Sequence, residues 1–237
     1  MLQNKVVFAI QSNGLYMNKE LHPQPMSKFI PDWYKNIKSD KVPDEVFDYL
    51  KKLKTAKTCP SFVEIFKEGY VVLAPQDYVI KIDEDGTFIW RTPIDFSIDT
   101  GHPTVGYHSY DQFHKFYNEK KVYAVPKLNL PIQIITPKGY SVRQMHFPYA
   151  DTTNYETTYG VLKSDKVHSI NIQIMFYKPG EYVFKQGTPL AVYVPFKRED
   201  FNYQVVNAKE NKYKNLIDKS KIKQFGILKN QTNYYKD

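Results

Sequence analysis

The sequence predicts a mainly β protein: a single β-sandwich domain, jelly-roll-like in its succession of short strands, with an N-terminal helical elaboration and a short C-terminal helix. Three observations carry this expectation. Aromatic residues make up 16% of the 237-residue chain, with 20 Tyr and 15 Phe, and such side chains suit the half-buried pleated surface of a strand. Ser169–Phe176 alternates, so that Ile170, Ile172, Ile174 and Phe176 fall on one face. From Tyr70 onward short apolar runs are punctuated by turn residues, and no linker separates two cores.

Taken in order, residues 5–10 read as a first strand, followed by a connection through Pro23, Pro25 and Pro31. Trp33 within it is expected to anchor the segment, since an indole buries a large area. Pro43–Lys54 is the clearest helix. Proline suits its first position, acids fill its first turn and lysines its last, and Val46, Phe47, Leu50 and Leu53 share a face. A shorter helix is expected over Ser61–Lys67, closed by Gly69. Tyr78–Ile82 and Thr87–Arg91 flank Asp83-Glu-Asp-Gly86 as a hairpin. Lys178–Glu199 reads as a last hairpin, turning at Pro179-Gly180 and Gly187-Thr-Pro189. Leu190–Phe196 is apolar on both faces and should be a central strand. A terminal helix is expected over Lys209–Phe225 and a loose tail over Asn230–Asp237. The domain plan is therefore 1–69 as strand, Pro-rich connection and helices packed on the core, 70–206 as the β domain, and 207–237 as C-terminal helix and tail.

The formal net charge is +8, but only Arg91, Arg143 and Arg198 among the 33 basic residues are arginine. Lysine is a hydrated point charge and a poor bidentate reader of phosphate or bases. The basic residues also interleave with 25 acids, so a nucleic-acid surface is disfavoured. The single cysteine, Cys59, excludes an internal disulfide and a Cys-based zinc site. Its Thr58 and Pro60 neighbours supply no base, and it is read as a buried structural thiol. No apolar run approaches the roughly 18 residues of a membrane span, and the apolar part of the N-terminus is too short for a signal peptide. The host cytoplasm is the expected location, with no membrane partner.

Gly101–His114 holds His102, His108 and His114. An iron site on a jelly roll needs two His and one carboxylate facing one point, and His108-x-x-Asp111 does not put both on one strand face. These histidines are read as loop residues, with a jelly-roll metal enzyme using His102, His108, His114, His146 or His168 kept as an alternative. No cofactor is expected, and no nucleophile elbow, P-loop or dinucleotide fingerprint is present.

Pro31-Asp-Trp33, Lys57-Thr-Cys-Pro60 leading into Gly69-Tyr70, Thr136-Pro-Lys-Gly-Tyr140, and Gly187-Thr-Pro-Leu-Ala191 with Pro195-Phe-Lys-Arg198 together resemble a family of uncharacterised proteins of tailed phages and bacteria. A weaker similarity runs through Glu68-Gly-Tyr-Val-Val-Leu-Ala-Pro-Gln-Asp77, Gly160-Val-Leu-Lys-Ser-Asp165 with Ile170-Asn-Ile172, and Phe184–Phe196. These stretches resemble, in order, strand and turn motifs of dUTP pyrophosphatases. That resemblance implies a dUTPase-like β-clip, but not the activity. Lys163 stands where the family's water-activating aspartate would be, Lys166 where its sugar-stacking tyrosine would be, and Val71 where its first-motif carboxylate would be. Phe147-Pro-Tyr149 replaces the phosphate loop. Without a positioned carboxylate there is no general base for water.

Arg143 and Arg198, with Lys163 and His146, remain as candidate ligand-binding residues for a nucleotide or small anion. The expectation for Arg198 is structural, as an ion pair with a nearby acid such as Glu199 or Glu156. The leading functional expectation is a non-catalytic accessory or assembly protein, meeting a macromolecular partner or another copy of itself through the aromatic-rich insertion Gly101–Tyr123. A nucleotide-binding or nucleotide-hydrolysing relative with relocated ligands is the alternative.

Overall fold

The computed structural model describes residues 5–37, 56, 60–108, 112, 122–150, 152–166, 168–209, 213–215 and 217–219. The expected helix over Pro43–Lys54, Cys59, His114 and the tail Asn230–Asp237 lie outside the described residues. The chain divides into two units, Met1–Pro31 with Glu64–Arg198, and Asp32–Val63 with Glu199–Asp237.

The first unit is mainly β. Its strands are β1 (Val7–Ile10), β2 (Gln24–Pro25), β3 (Tyr70–Leu73), β4 (Tyr78–Ile82), β5 (Phe88–Arg91), β6 (Val105–Tyr107), β7 (Pro126–Ile135), β8 (Tyr140–Met145), β9 (Tyr155–Thr157), β10 (Gly160–Leu162), β11 (His168–Phe176), β12 (Gly180–Phe184) and β13 (Pro189–Lys197). They form three antiparallel sheets. The first runs β1-β7-β11-β9, with β6 also on β7; the second β10-β8-β13-β3-β2; the third β12-β4-β5. β7 is long enough for β1 to pair with Ile132–Ile135 and β6 with Pro126–Leu128.

Alternation decides what each sheet buries. Leu128, Leu130, Ile132 and Ile134 of β7 and Ile170, Ile172 and Ile174 of β11 enter one core. Val72, Val142, Ala191 and Tyr193 reach it from the second sheet, and Ile80 and Ile82 from the third. Each fully buried aliphatic side chain contributes about 1.5–3 kcal/mol, so this shared core is what holds the three sheets together. As its two-faced apolarity predicts, β13 is central, paired with β3 and β8.

The expected last hairpin is not one. β12 pairs with β4 in the third sheet while β13 belongs to the second. The turn between them is strapped to Asp77, which accepts from Gln186 N (2.8 Å) and Lys185 Nζ (2.9 Å). Gly187 N–H then reaches Ala74 O, and Ala74 N–H reaches Thr188 O. The chain therefore turns a corner from one sheet into another instead of folding back on itself.

The short helices are α1 (Asn13–Met17), α2 (Asp32–Lys35), α3 (Pro60–Ile65) and α4 (Ser97–Thr100). After α3 the chain passes Gly69 at φ +77°, where a Cβ would lie 2.7 Å from Tyr193 O; only glycine lets β3 enter beside β13. In the second unit Tyr34 is buried and donates to Ala56 O at 3.2 Å. Trp33, the expected anchor, is 45% exposed. Helical turns at 213–215 and 217–219 form a short C-terminal helix within the expected span.

Candidate functional site

Arg198 is engaged at both terminal guanidinium nitrogens. Its Nη1 donates to Asp165 Oδ1 (3.1 Å), Tyr140 O (2.9 Å) and Ser141 Oγ (2.9 Å), and its Nη2 donates to Asp165 Oδ2. Gly139 N–H also donates to Asp165 Oδ2 (3.1 Å), and Arg198 N–H reaches Gly139 O (2.8 Å). Asp165 is thus gripped by the guanidinium and by a main-chain amide, which together hold its carboxyl down to about 2, the guanidinium hydrogen bonds contributing most. The carboxylate partner is Asp165 rather than Glu199 or Glu156. This planar two-pronged grip ties the end of β13 to the β7–β8 turn and to the turn after β10.

Arg143 is turned elsewhere. It lies opposite Val194, exposed, with its guanidinium carbon 5.4 Å from the centroid of the Phe196 ring, a cation–π distance. Each arginine thus faces a different partner, so the pair does not meet on a shared anion. Lys163 and Lys166 are exposed, and Val71 is fully buried in β3.

His146 is a neutral linchpin. Its Nδ1 accepts from Thr157 N–H (3.1 Å), which leaves Nε2 as the donor to Thr152 Oγ1 (2.8 Å). Burial lowers its pKa, with Glu156 opposing. His102 is exposed, and His108 Nδ1 lies 2.7 Å from Gln112 Oε1. Among the described residues no three His, Cys, Asp or Glu side chains converge as a metal site would require.

A further opening lies elsewhere, as a cleft of about 740 Å³ between β5 and β6. Its walls are Phe88 and Trp90 on one side and Val105, Gly106, Tyr107 and His108 on the other; its floor is Val122, Tyr123 and Ala124. The floor is fixed by Tyr123 N–H to Phe176 O (2.8 Å) and Phe176 N–H to Ala124 O (3.0 Å). Glu84, Asp85, Gly86 and Thr87, in the β4–β5 turn, also line it. That turn closes with Gly86 N–H on Asp83 O, Asp83 N–H on Thr87 O, and Asp85 Oδ1 accepting from both Thr87 N and Thr87 Oγ1, a type I turn with a glycine bulge. Gly86 has φ +81°, and a Cβ there would stand 2.4 Å from Tyr123 O. The absence of a side chain is what lets the turn sit down on the floor.

Trp90, Tyr107, Phe88 and Tyr123 are the functional candidates that reasoning from sequence did not select individually. The signals were the aromatic richness of Gly101–Tyr123, which supplies β6 and part of the floor, and the hairpin that supplies β5.

No protein-family model matches the sequence, and a search of curated proteins finds no match. Among solved structures the chain is similar to the Staphylococcus bacteriophage 80alpha dUTPase, in a mutant form with dUpNHpp: 10% identity, 88% of this chain and 100% of that one covered, TM-score 0.41. The dUTPase from phage phi11 of S. aureus gives 10% identity, 88% and 99% coverage and a TM-score of 0.38. The native EIAV dUTPase gives 8% identity, 60% and 86% coverage and a TM-score of 0.33.

Proposed function

We propose that this protein is a non-catalytic binding protein, an accessory of a phage or its bacterial host that meets a partner through the β5–β6 cleft. The observation that carries the proposal is the lining of that cleft. Phe88, Trp90, Tyr107 and Tyr123 give it aromatic lining, and the lining includes no lysine or arginine among the described residues. Aromatic walls with a few polar groups are the surface chemistry of recognition, and a phosphate would find no cation among the described lining residues. The second support is chemical. Where the sequence resembles dUTP pyrophosphatases, Lys163 occupies the position of the water-activating carboxylate. The neighbouring Asp165 is committed to Arg198 and Gly139, so it is not available as a base near neutral pH. In this reading Arg198 and His146 hold the scaffold and the cleft does the binding.

The test is direct. Full-length protein is incubated with dUTP and magnesium and assayed for pyrophosphate release, alongside a thermal-shift panel of nucleotides. No turnover and no nucleotide-dependent rise in melting temperature are expected. Turnover that disappears in a Lys163→Ala variant would overturn the proposal in favour of a nucleotide enzyme with relocated ligands.

A further inference from the structure

The two strands that wall the cleft are both sheet edges among the described residues, since β5 ends the β12-β4-β5 sheet and β6 pairs only with β7. Which of their main-chain groups are free follows from the register. In an antiparallel pair, opposed residues alternate between those that exchange hydrogen bonds and those whose N–H and C=O point away. Asp83 N–H to Thr87 O marks the bonded pair at the turn. Lys81–Ile89 and Val79–Arg91 are then the bonded pairs along the register, while Phe88 and Trp90 point their main-chain groups away from β4. On β6, Asn129 N–H to Thr104 O and His108 N–H to Val125 O mark bonded pairs. Gly106–Lys127 follows as bonded, and Val105 and Tyr107 turn theirs away from β7.

The outward-turned residues are Phe88, Trp90, Val105 and Tyr107, and all four line the cleft; Ile89 and Arg91 do not. No hydrogen-bond partner for these main-chain groups is found among the described residues. Val105 is only 4% exposed, so its unpaired groups sit where water reaches them poorly. A row of this kind calls for a pairing partner. Charge then narrows the occupant. Glu84 and Asp85 stand at the turn end of the cleft, an acidic spot on a chain whose net charge is +8.

We infer that the cleft accepts an extended peptide segment of a partner protein, which adds as a strand against the free edges of β5 and β6 and sets a Lys or Arg side chain against Glu84 and Asp85. This rests on the reading of the cleft as the binding surface and names its ligand. Main-chain pairing supplies affinity that any extended segment can make. Specificity comes from alternate side chains meeting Trp90 and Tyr107 and from the basic residue at the acidic end.

The experiment is selection from a displayed random heptapeptide library on the full-length protein. Synthesis of an enriched peptide follows, in plain form and with alternate amides N-methylated. Enriched sequences should lack internal proline, favour β-branched and aromatic residues, and carry Lys or Arg. The plain peptide should slow amide exchange at Phe88, Trp90, Val105 and Tyr107 and change Trp90 fluorescence. N-methylation should abolish its binding, and Glu84→Lys, with an unchanged melting temperature, should weaken it by about tenfold. The inference is overturned by no enrichment, or by binding that tolerates N-methylation and leaves the four amides exchanging. Protection of those amides by self-association without peptide would also overturn it. If the N-methylated peptide still binds and Trp90→Ala abolishes that binding, strand addition fails while the cleft stands as the site. Failure of the parent reading shows separately, as dUTP turnover.

Discussion

The Arg198–Asp165 corner and the β5–β6 cleft both sit at strand ends and edges of the same unit, and they have opposite hydrogen-bond accounts. At the corner both Arg198 Nη nitrogens and both Asp165 oxygens have partners, and one more amide, Gly139 N–H, joins them. At the cleft, aromatic rings are half-open, and four residues turn their main-chain groups toward no partner among those described. The corner looks more like a site by composition, since it has charge, a perturbed carboxylate and an arginine in a lysine-rich chain. It is nevertheless closed on itself. A strongly shifted pKa therefore marks an interaction, and only geometry says whether that interaction is already complete.

The largest effect should come from disturbing the floor of the cleft. Gly86→Val puts a β-branched side chain at φ +81° with its Cβ 2.4 Å from Tyr123 O. A left-handed non-glycine residue alone costs about 1–3 kcal/mol, so a clear fall in melting temperature is expected, with faster amide exchange at Tyr123. A variant as stable as the parent would mean that the turn does not rest on the floor.

Arg198→Lys comes next. A lysine cannot reproduce the fork that holds Asp165, Tyr140 O and Ser141 together, so thermal melting should fall while peptide binding at the cleft stays. Lost binding with unchanged melting would reverse the roles of the two regions.

The pH profile tests the scaffold at two points, Asp165 and His146. Asp165 is held down to about 2 when folded, by Arg198 first and by Gly139 N–H second. Its contribution is therefore present above the ordinary carboxylate range and is lost as pH falls from about 4 toward 2. Burial lowers the pKa of His146, so its contribution is present above the ordinary imidazole value and is lost as pH falls below about 6.5. Melting temperature should drop in two steps on acidification. Arg198→Lys should flatten the lower step and His146→Gln the upper; a single step unaffected by either variant would contradict both assignments. The smallest expected effect on stability is that of Tyr107→Ser. Tyr107 is 70% exposed, so unfolding free energy should change by no more than about 0.5 kcal/mol, while binding at the cleft is lost.

Much of the scaffold was legible in the sequence because burial writes itself into pattern. β11 alternates and β13 is apolar on both faces, and each takes the place that this demands. What could not be read was long-range choice. Pro179-Gly180 and Gly187-Thr-Pro189 announce turns, but nothing local says that β12 will pair with β4 and β13 with β3; Asp77, more than a hundred residues upstream, fixes that corner. Arg198 stood out as one of three arginines, yet its acid lies 33 residues away, beyond the local neighbours that sequence suggested. The cleft was hidden for the same reason, since Trp90 and Tyr107 belong to different sheets and only the fold brings them to one opening.

Residue-resolved amide hydrogen exchange on the free, full-length protein tests most directly whether the corner is closed and the cleft open. The amides of Gly139 and Arg198 should be strongly protected, whereas those of Phe88, Trp90 and Tyr107 should exchange markedly faster than those of Ile89 and Gly106, the bonded neighbours on the same strands. Equal protection of all five strand amides in the free monomer would show that the edges are already paired, and would contradict the account.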